Sequence, residues 1–168
     1  TLGRTGFAVS DIAHGLWGMS GWSESDDQQS RQAIQLAIDL GCNFFDTAWA
    51  YGAGKSEQLL GRALKKRGPH GDPIVRVATK IPPKNMRWPG KAEYPIAETY
   101  PPTHIREYTE KSLENLGLDT IDVYYVHNPE TQLAQVPRGE FNDRLLKAFE
   151  ALEGAVAARP ALTGDTVL

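Results

Sequence analysis

Four times in succession a short apolar run is followed by a segment whose apolar residues recur at three- and four-residue spacing, with no hairpin between the units. The runs are Asp11 to Leu16, Asn43 to Phe45, Ile74 to Thr79 and Ile121 to Val126, and each reads as a strand. Helical spacing follows each one. It is carried by Ala33, Ile34, Ala37 and Ile38, then by Leu59, Leu60, Ala63 and Leu64. It returns in Ile105, Tyr108, Ser112, Leu113 and Leu116, and again in Leu145, Leu146, Phe149, Leu152 and Val156. Ser23 to Asp27, Ser56 and Thr103 supply helix-start residues, while Gly41, Gly68-Pro69 and Gly117 supply stops. Strands alternating with helices imply a parallel sheet joined by right-handed crossovers, with the helices outside and every strand's C-terminal end on one face. The expectation is an α/β fold whose four units make an open, incomplete sheet.

The 168 residues suffice for one domain with a real core. Residues 1–10, with Gly3, Thr5 and Gly6, suit a small hairpin; residues 11–157 hold the four units, and the pattern fails in the tail, 158–168. Between Ile81 and Pro102, six prolines crowd a connection much longer than usual, and a loop that long is generally functional or disordered. A net charge of −3, with no basic run beyond Lys65-Lys66-Arg67, argues against nucleic acid as a partner. The one cysteine, Cys42, excludes an internal disulfide, fits a reducing compartment, and beside two phenylalanines reads as a packing residue. No apolar stretch is long enough to span a membrane and no signal-peptide pattern opens the chain, so the expected location is cytoplasmic. The start at Thr1, without Met, suggests that a few residues precede it.

Three strand ends carry titratable side chains. Asn43 to Tyr51, NFFDTAWAY, places Asp46 at the end of the second strand and Tyr51 in the loop behind it; Lys80 closes the third strand and His127 the fourth. A phenol, with a reference pKa near 10, is a poor proton donor at neutral pH, and a neighbouring ammonium favours its ionised form. Lys80 could play that part beside Tyr51. Asp46 would hold the ammonium in place, and His127 could orient a substrate oxygen or share in the proton transfer. Taken singly, each residue has a plainer reading: a structural ion pair, a packing ring, a satisfied histidine. Together on one face they describe a proton-donating site aimed at a carbonyl. No metal-ligand cluster accompanies them. The hydride for a reduction would have to come from a cofactor, yet no GxGxxG fingerprint follows a strand.

DTAWAYG followed by GKSEQLLG, then VATK, then VYYVHNPE, resemble the successive signatures of the aldo-keto reductase superfamily, and LGRTGFAVSDIAHGLWG resembles its N-terminal hairpin and first strand. The resemblance runs in order from Leu2 to about Ala157. It implies a TIM-barrel fold, here the N-terminal half of one with an N-terminal β-hairpin, and NAD(P)H-dependent reduction of an aldehyde or ketone. By that resemblance Tyr51 is the general acid, Lys80 tunes it, Asp46 pairs with Lys80, and His127 orients the carbonyl. It places cofactor contacts at Gly15, Leu16, Trp17, Asp46 and Asn128, with Leu16 standing where the family has a threonine. Trp17, Trp49 and Trp88 become substrate-pocket walls, with buried core as the alternative for each, and Trp88, Tyr94 and Tyr100 suggest an aromatic or apolar pocket. NADP(H) is the expected cofactor, with NAD(H) left open.

A TIM barrel closes with eight strands over about 250 residues. Four units therefore imply a truncated chain, weakly active or inactive alone, with the residues that grip the rest of the cofactor outside it. Two further readings are weighed. In one, open sheet edges pair in a homo-oligomer to complete a barrel. In the other, the chain is a non-enzymatic binding or regulatory subunit, as potassium-channel β subunits resemble this family.

Overall fold

The alternation is realised in a computed structural model of the chain, which describes residues 1–21, 24, 26–67, 74–86, 96–134 and 136–158. The strands are β1 (His14–Gly15), β2 (Phe44–Asp46), β3 (Arg76–Ile81) and β4 (Val123–Val126). They form one sheet in chain order, parallel at every pairing. The helices are α1 (Asp27–Asp39), α2 (Lys55–Arg67), the short α3 (Ile96–Thr99), α4 (Pro102–Leu116) and α5 (Arg138–Ala158). Parallel neighbours need a crossover, and α1, α2 and α4 provide the three.

Because strand side chains alternate, each strand serves two surfaces. Phe45 and Val77 pack with Leu16, Ile34, Leu59 and Leu116 between sheet and helices, while Ile81 and Val126 join Tyr100, Ile105 and Ala148 in a second cluster. Most of these side chains are fully buried, and each such Leu, Ile or Phe contributes roughly 1.5–3 kcal/mol. The alternate residues, Asp46, Ala78, Lys80 and Tyr125, therefore lie on the opposite face, and the register pairs Asp46 with Ala78 and Lys80 with Tyr125.

Several local expectations are revised. Asp26 caps α1 by accepting from the Gln29 N–H at 2.8 Å. Ser56, expected as the cap of α2, lies inside its first turn, and its fully buried hydroxyl faces the strands. Pro101, not Thr103, occupies the N-cap of α4, with Pro102 at the first helical position, where a missing N–H costs nothing. The fourth helix starts at Arg138 after a 3-10 stretch at Pro129–Ala134, earlier than its apolar spacing indicates. The N-terminal arm turns back as a hairpin would, with the Leu2 N–H on the Phe7 carbonyl at 2.9 Å, but as a 3-10 turn at Gly3–Thr5. The Thr5 hydroxyl folds onto the Leu2 carbonyl at 2.6 Å, which favours the tight turn over a two-stranded ladder. Phe7 then lies under the Arg76 guanidinium, 4.1 Å from its ring centre, at the N-terminal end of β3.

The Gly68-Pro69 stop, Trp88, Tyr94 and the tail from Arg159 lie outside the described residues. Among the described residues no helix is long and apolar enough to cross a membrane.

Candidate active site

The C-terminal ends of β2, β3 and β4 gather the predicted quartet. Lys80 emerges from β3 on the same face as Asp46 from β2, and its ammonium donates to Asp46 Oδ1 at 2.6 Å and to the Thr47 carbonyl at 2.7 Å. The Lys80 side chain is 15% exposed and that of Asp46 36%, so the pair sits at a rim rather than in the core. The Lys80 Nζ lies 4.8 Å from the centre of the Tyr51 ring. On another side the Tyr51 ring meets His127 edge-on, with centres 5.7 Å apart and planes at 80°.

Two devices hold the outer members. The loop carrying Tyr51 is coiled on its own backbone: the Tyr51 N–H donates to the Ala48 carbonyl at 3.0 Å, and the Ser56 N–H donates to the Tyr51 carbonyl at 3.2 Å. The next residue must be glycine. Gly52 has φ +68°, and a Cβ there would stand 2.5 Å from the Ser20 carbonyl oxygen. His127 continues the ladder past β4, its N–H on the Ile81 carbonyl at 3.1 Å, and its own carbonyl accepts the Tyr100 hydroxyl at 2.9 Å.

Tyr100 was expected among pocket aromatics. It is buried instead, anchoring the His127 backbone, and burial aided by the Glu130 charge pushes its phenol well above the usual range, so the hydroxyl stays protonated and donating. Burial drives the His127 imidazole down to about 4, with the Lys80 charge in the same direction and Asp46 and Glu130 opposing. At neutral pH His127 is therefore uncharged.

The remaining predicted residues are spread around this centre. Gly15 ends β1 in register with Asp46, and Trp17 follows, 60% exposed, in a 3-10 turn. The Leu16 side chain points into the helix-side core, its N–H donates to the Asp46 carbonyl at 2.9 Å, and its carbonyl accepts from Ser56 at 3.1 Å. Asn128, exposed and left-handed at φ +54°, follows His127 and donates to Glu130 Oε1 at 2.8 Å. Trp49 packs against α4, edge-on to Tyr108 with centres 4.6 Å apart and with the Lys111 ammonium 5.8 Å from its ring.

Sequence reading passed over Glu57. Its carboxylate is fully buried, accepting from Thr79 Oγ1 at 2.7 Å and from Asn115 Nδ2 at 2.9 Å. Burial raises it above the usual carboxyl range against the pull of those bonds and of the Lys80 charge. An acid in the first turn of a helix ordinarily serves the dipole from the surface. The signal was the spacing: Glu57, Leu60 and Leu64 fall three and four residues apart, on the inner face.

The structure thus gathers a phenol, a fixed ammonium and an imidazole at the C-terminal rim of a parallel sheet. Residues 11–158 match the profile of the Aldo/keto reductase family. The chain belongs to that family. It is 34% identical over 132 residues to the aldo-keto reductase YhdN of Bacillus subtilis, covering 77% of this chain and 38% of that one. It is also 34% identical over 129 residues to a "probable voltage-gated potassium channel subunit beta" of Arabidopsis thaliana, covering 77% of this chain and 37% of the relative. Among solved structures, an aldo-keto reductase structure from Pseudomonas aeruginosa superposes with a TM-score of 0.67 at 28% identity, over 98% of this chain and 56% of that one. This aldo/keto reductase family chain thus spans only part of the length of the relatives it matches, and its four strands make part of their barrel.

Proposed function

We propose that the chain carries the proton-donating side of an aldo-keto reductase site, with Tyr51 as the general acid toward a small aldehyde or ketone. The observation that carries this reading is the Lys80 ammonium, clamped by Asp46 and the Thr47 carbonyl and held 4.8 Å from the Tyr51 ring. As charge builds on the carbonyl oxygen, the Tyr51 hydroxyl gives up its proton and the fixed ammonium stabilises the phenolate left behind. Asp46 keeps the Lys80 ammonium aimed. His127, neutral at working pH, can donate one ring N–H to the same oxygen without competing as an acid.

The hydride is the contribution of a bound dihydronicotinamide, with NADPH expected from the family and NADH left open. The rim suits the reacting end of such a cofactor. The exposed Asn128 amide has both a donor and an acceptor to match a carboxamide, and Gly15 and the exposed Trp17 flank Asp46 at the end of β1. Trp17, Trp49 and Trp88 are proposed as walls toward the substrate.

β1 and β4 are the edges of the sheet, and Tyr125 is 40% exposed on the face opposite the helices. The chain alone is therefore expected to turn over slowly, and further strands at those edges, from a second copy or from a longer protein, to raise the rate.

The test is loss of NADPH absorbance in the presence of a simple aromatic aldehyde, for the wild type and for Tyr51→Phe. The variant should lose roughly 10²- to 10⁴-fold, as removal of a general acid does. Equal rates for the two proteins would end the assignment. The similarity to a channel β subunit favours one second reading, a binding subunit on this fold. Tyr51→Phe without effect on partner binding, together with no turnover by the wild type, would decide for it.

A further inference from the structure

The catalytic face of the sheet accounts for Asp46, Lys80 and His127, but the opposite face holds polar groups that the proposed chemistry does not use. Two successive residues of the first turn of α2, Ser56 and Glu57, are fully buried, and each is bonded to the residue adjacent in sequence to a member of the site. The Ser56 hydroxyl lies 2.8 Å from Thr47 Oγ1 and also donates to the Leu16 carbonyl at 3.1 Å. Glu57 accepts from Thr79 at 2.7 Å, and its second oxygen accepts from Asn115 of α4 at 2.9 Å. Thr47 and Thr79, both fully buried, are the outward-facing neighbours of Asp46 and Lys80. Moreover, the Thr47 carbonyl is itself one of the two acceptors that hold the ammonium.

We infer that Ser56 and Glu57 are positioning residues, a clamp from α2 that fixes the ends of β2 and β3 against each other and so sets where the Lys80 ammonium meets Asp46, Thr47 and Tyr51. A one-residue step along a strand turns a side chain to the other face, so fixing Thr79 on the helix side fixes the aim of Lys80 on the other. The clamp also sits directly after the Tyr51 loop, whose carbonyl accepts the Ser56 N–H at 3.2 Å. One dipeptide thus ties the acid and its ammonium to a single helix end. A carboxylate buried only for stability would be an expensive choice, since an apolar residue of similar volume packs as well without desolvation. Two acceptor oxygens reaching two different elements are what an apolar residue cannot supply. The inference rests on the reading of Lys80 as the group beside the acid, and it assigns Glu57 no contact with substrate.

The test uses the full chain with isotope-labelled lysine, and reads the Lys80 ammonium by NMR, assigned through Lys80→Met. In the wild type this ammonium, fixed by two acceptors, should give a resolved, slowly exchanging signal. Glu57→Ala should shift and broaden it, and Glu57→Gln, which retains an acceptor for Thr79, should restore it. Thr79→Val removes one hydroxyl at nearly constant volume, and it should reproduce the alanine spectrum even if Glu57→Ala does not fold. Where turnover is measurable, kcat should fall roughly 10- to 100-fold in Glu57→Ala and Thr79→Val, with KM little changed. A Lys80 signal and a kcat unmoved in folded Thr79→Val would overturn the inference. A Lys80 signal that responds to Thr79→Val, alongside a measurable wild-type turnover that Tyr51→Phe leaves unchanged, would leave the clamp standing and remove the reductase reading instead.

Discussion

Replacing Lys80 by Met removes two hydrogen bonds at once, and the two acceptors left behind fare differently. Asp46, with a side chain 36% exposed, can rehydrate; the Thr47 carbonyl belongs to a fully buried residue and has less access to water. An exposed ion pair is worth about 0–1 kcal/mol and a broken buried one costs about 3–5 kcal/mol. A pair with one partner at 15% and the other at 36% exposure belongs between these limits, near 2 kcal/mol. The stranded Thr47 carbonyl adds about 1 kcal/mol, the low end for an unsatisfied acceptor. Lys80→Met should therefore destabilise by roughly 3 kcal/mol and Asp46→Ala by roughly 2 kcal/mol, while the double variant should cost about as much as Lys80→Met alone. The assay is urea unfolding of the four proteins, with the coupling energy taken from the cycle. Effects that simply add, with a coupling below about 0.5 kcal/mol, would show that the two groups do not depend on each other and would refute the clamped ammonium.

Two further outcomes follow from the same geometry. His127 is depressed in the folded chain to about 4 from an ordinary 6.5, so the unfolded chain binds the extra proton between those values. Its contribution to stability is present above pH 6.5 and is lost as the pH falls toward 4. The shift corresponds to about 3 kcal/mol, or about 2 kcal/mol after discounting for solvent at the rim, and His127→Gln should show a correspondingly flatter stability profile over that window. Gly61→Ala would place a Cβ 2.5 Å from the Asn115 carbonyl oxygen and 2.7 Å from that of Leu116, where α2 crosses α4. Forcing the helices apart costs about 1–3 kcal/mol and outweighs the gain in helix propensity of about 1 kcal/mol or less. The Tm should fall by a few degrees, and a rise would mean that the helices do not touch there.

The sheet was legible because each strand is a short apolar run and each helix has a clear apolar period, and parallel order follows from their alternation. The quartet was legible for a related reason: a polar residue closing an apolar run sits at a strand's end, and all the ends share one face. Less legible was what faces the helices from the same strand ends. Ser56 looked like a cap because capping serines occupy that kind of position in sequence, and only the fold shows its hydroxyl turned to Thr47. Glu57 drew no reading from the sequence, although its spacing to Leu60 and Leu64 already put it inside. Tyr100 could not be placed from sequence, since a loop aromatic lines a pocket or anchors a backbone according to a conformation that six prolines do not specify. For Trp49, which sits in the turn after β2, the packing partner Tyr108 lies 59 residues away on α4.

The central claim is that strand ends far apart in sequence bring a phenol and an imidazole together beside a fixed ammonium. The most direct measurement is a nuclear Overhauser spectrum of the labelled chain, read between the ring protons of Tyr51 and His127. Rings centred 5.7 Å apart and meeting edge-on should give clear cross-peaks that vanish in Tyr51→Leu. A well-resolved spectrum in which Tyr51 contacts other residues and none of its ring protons reaches His127 would contradict the account.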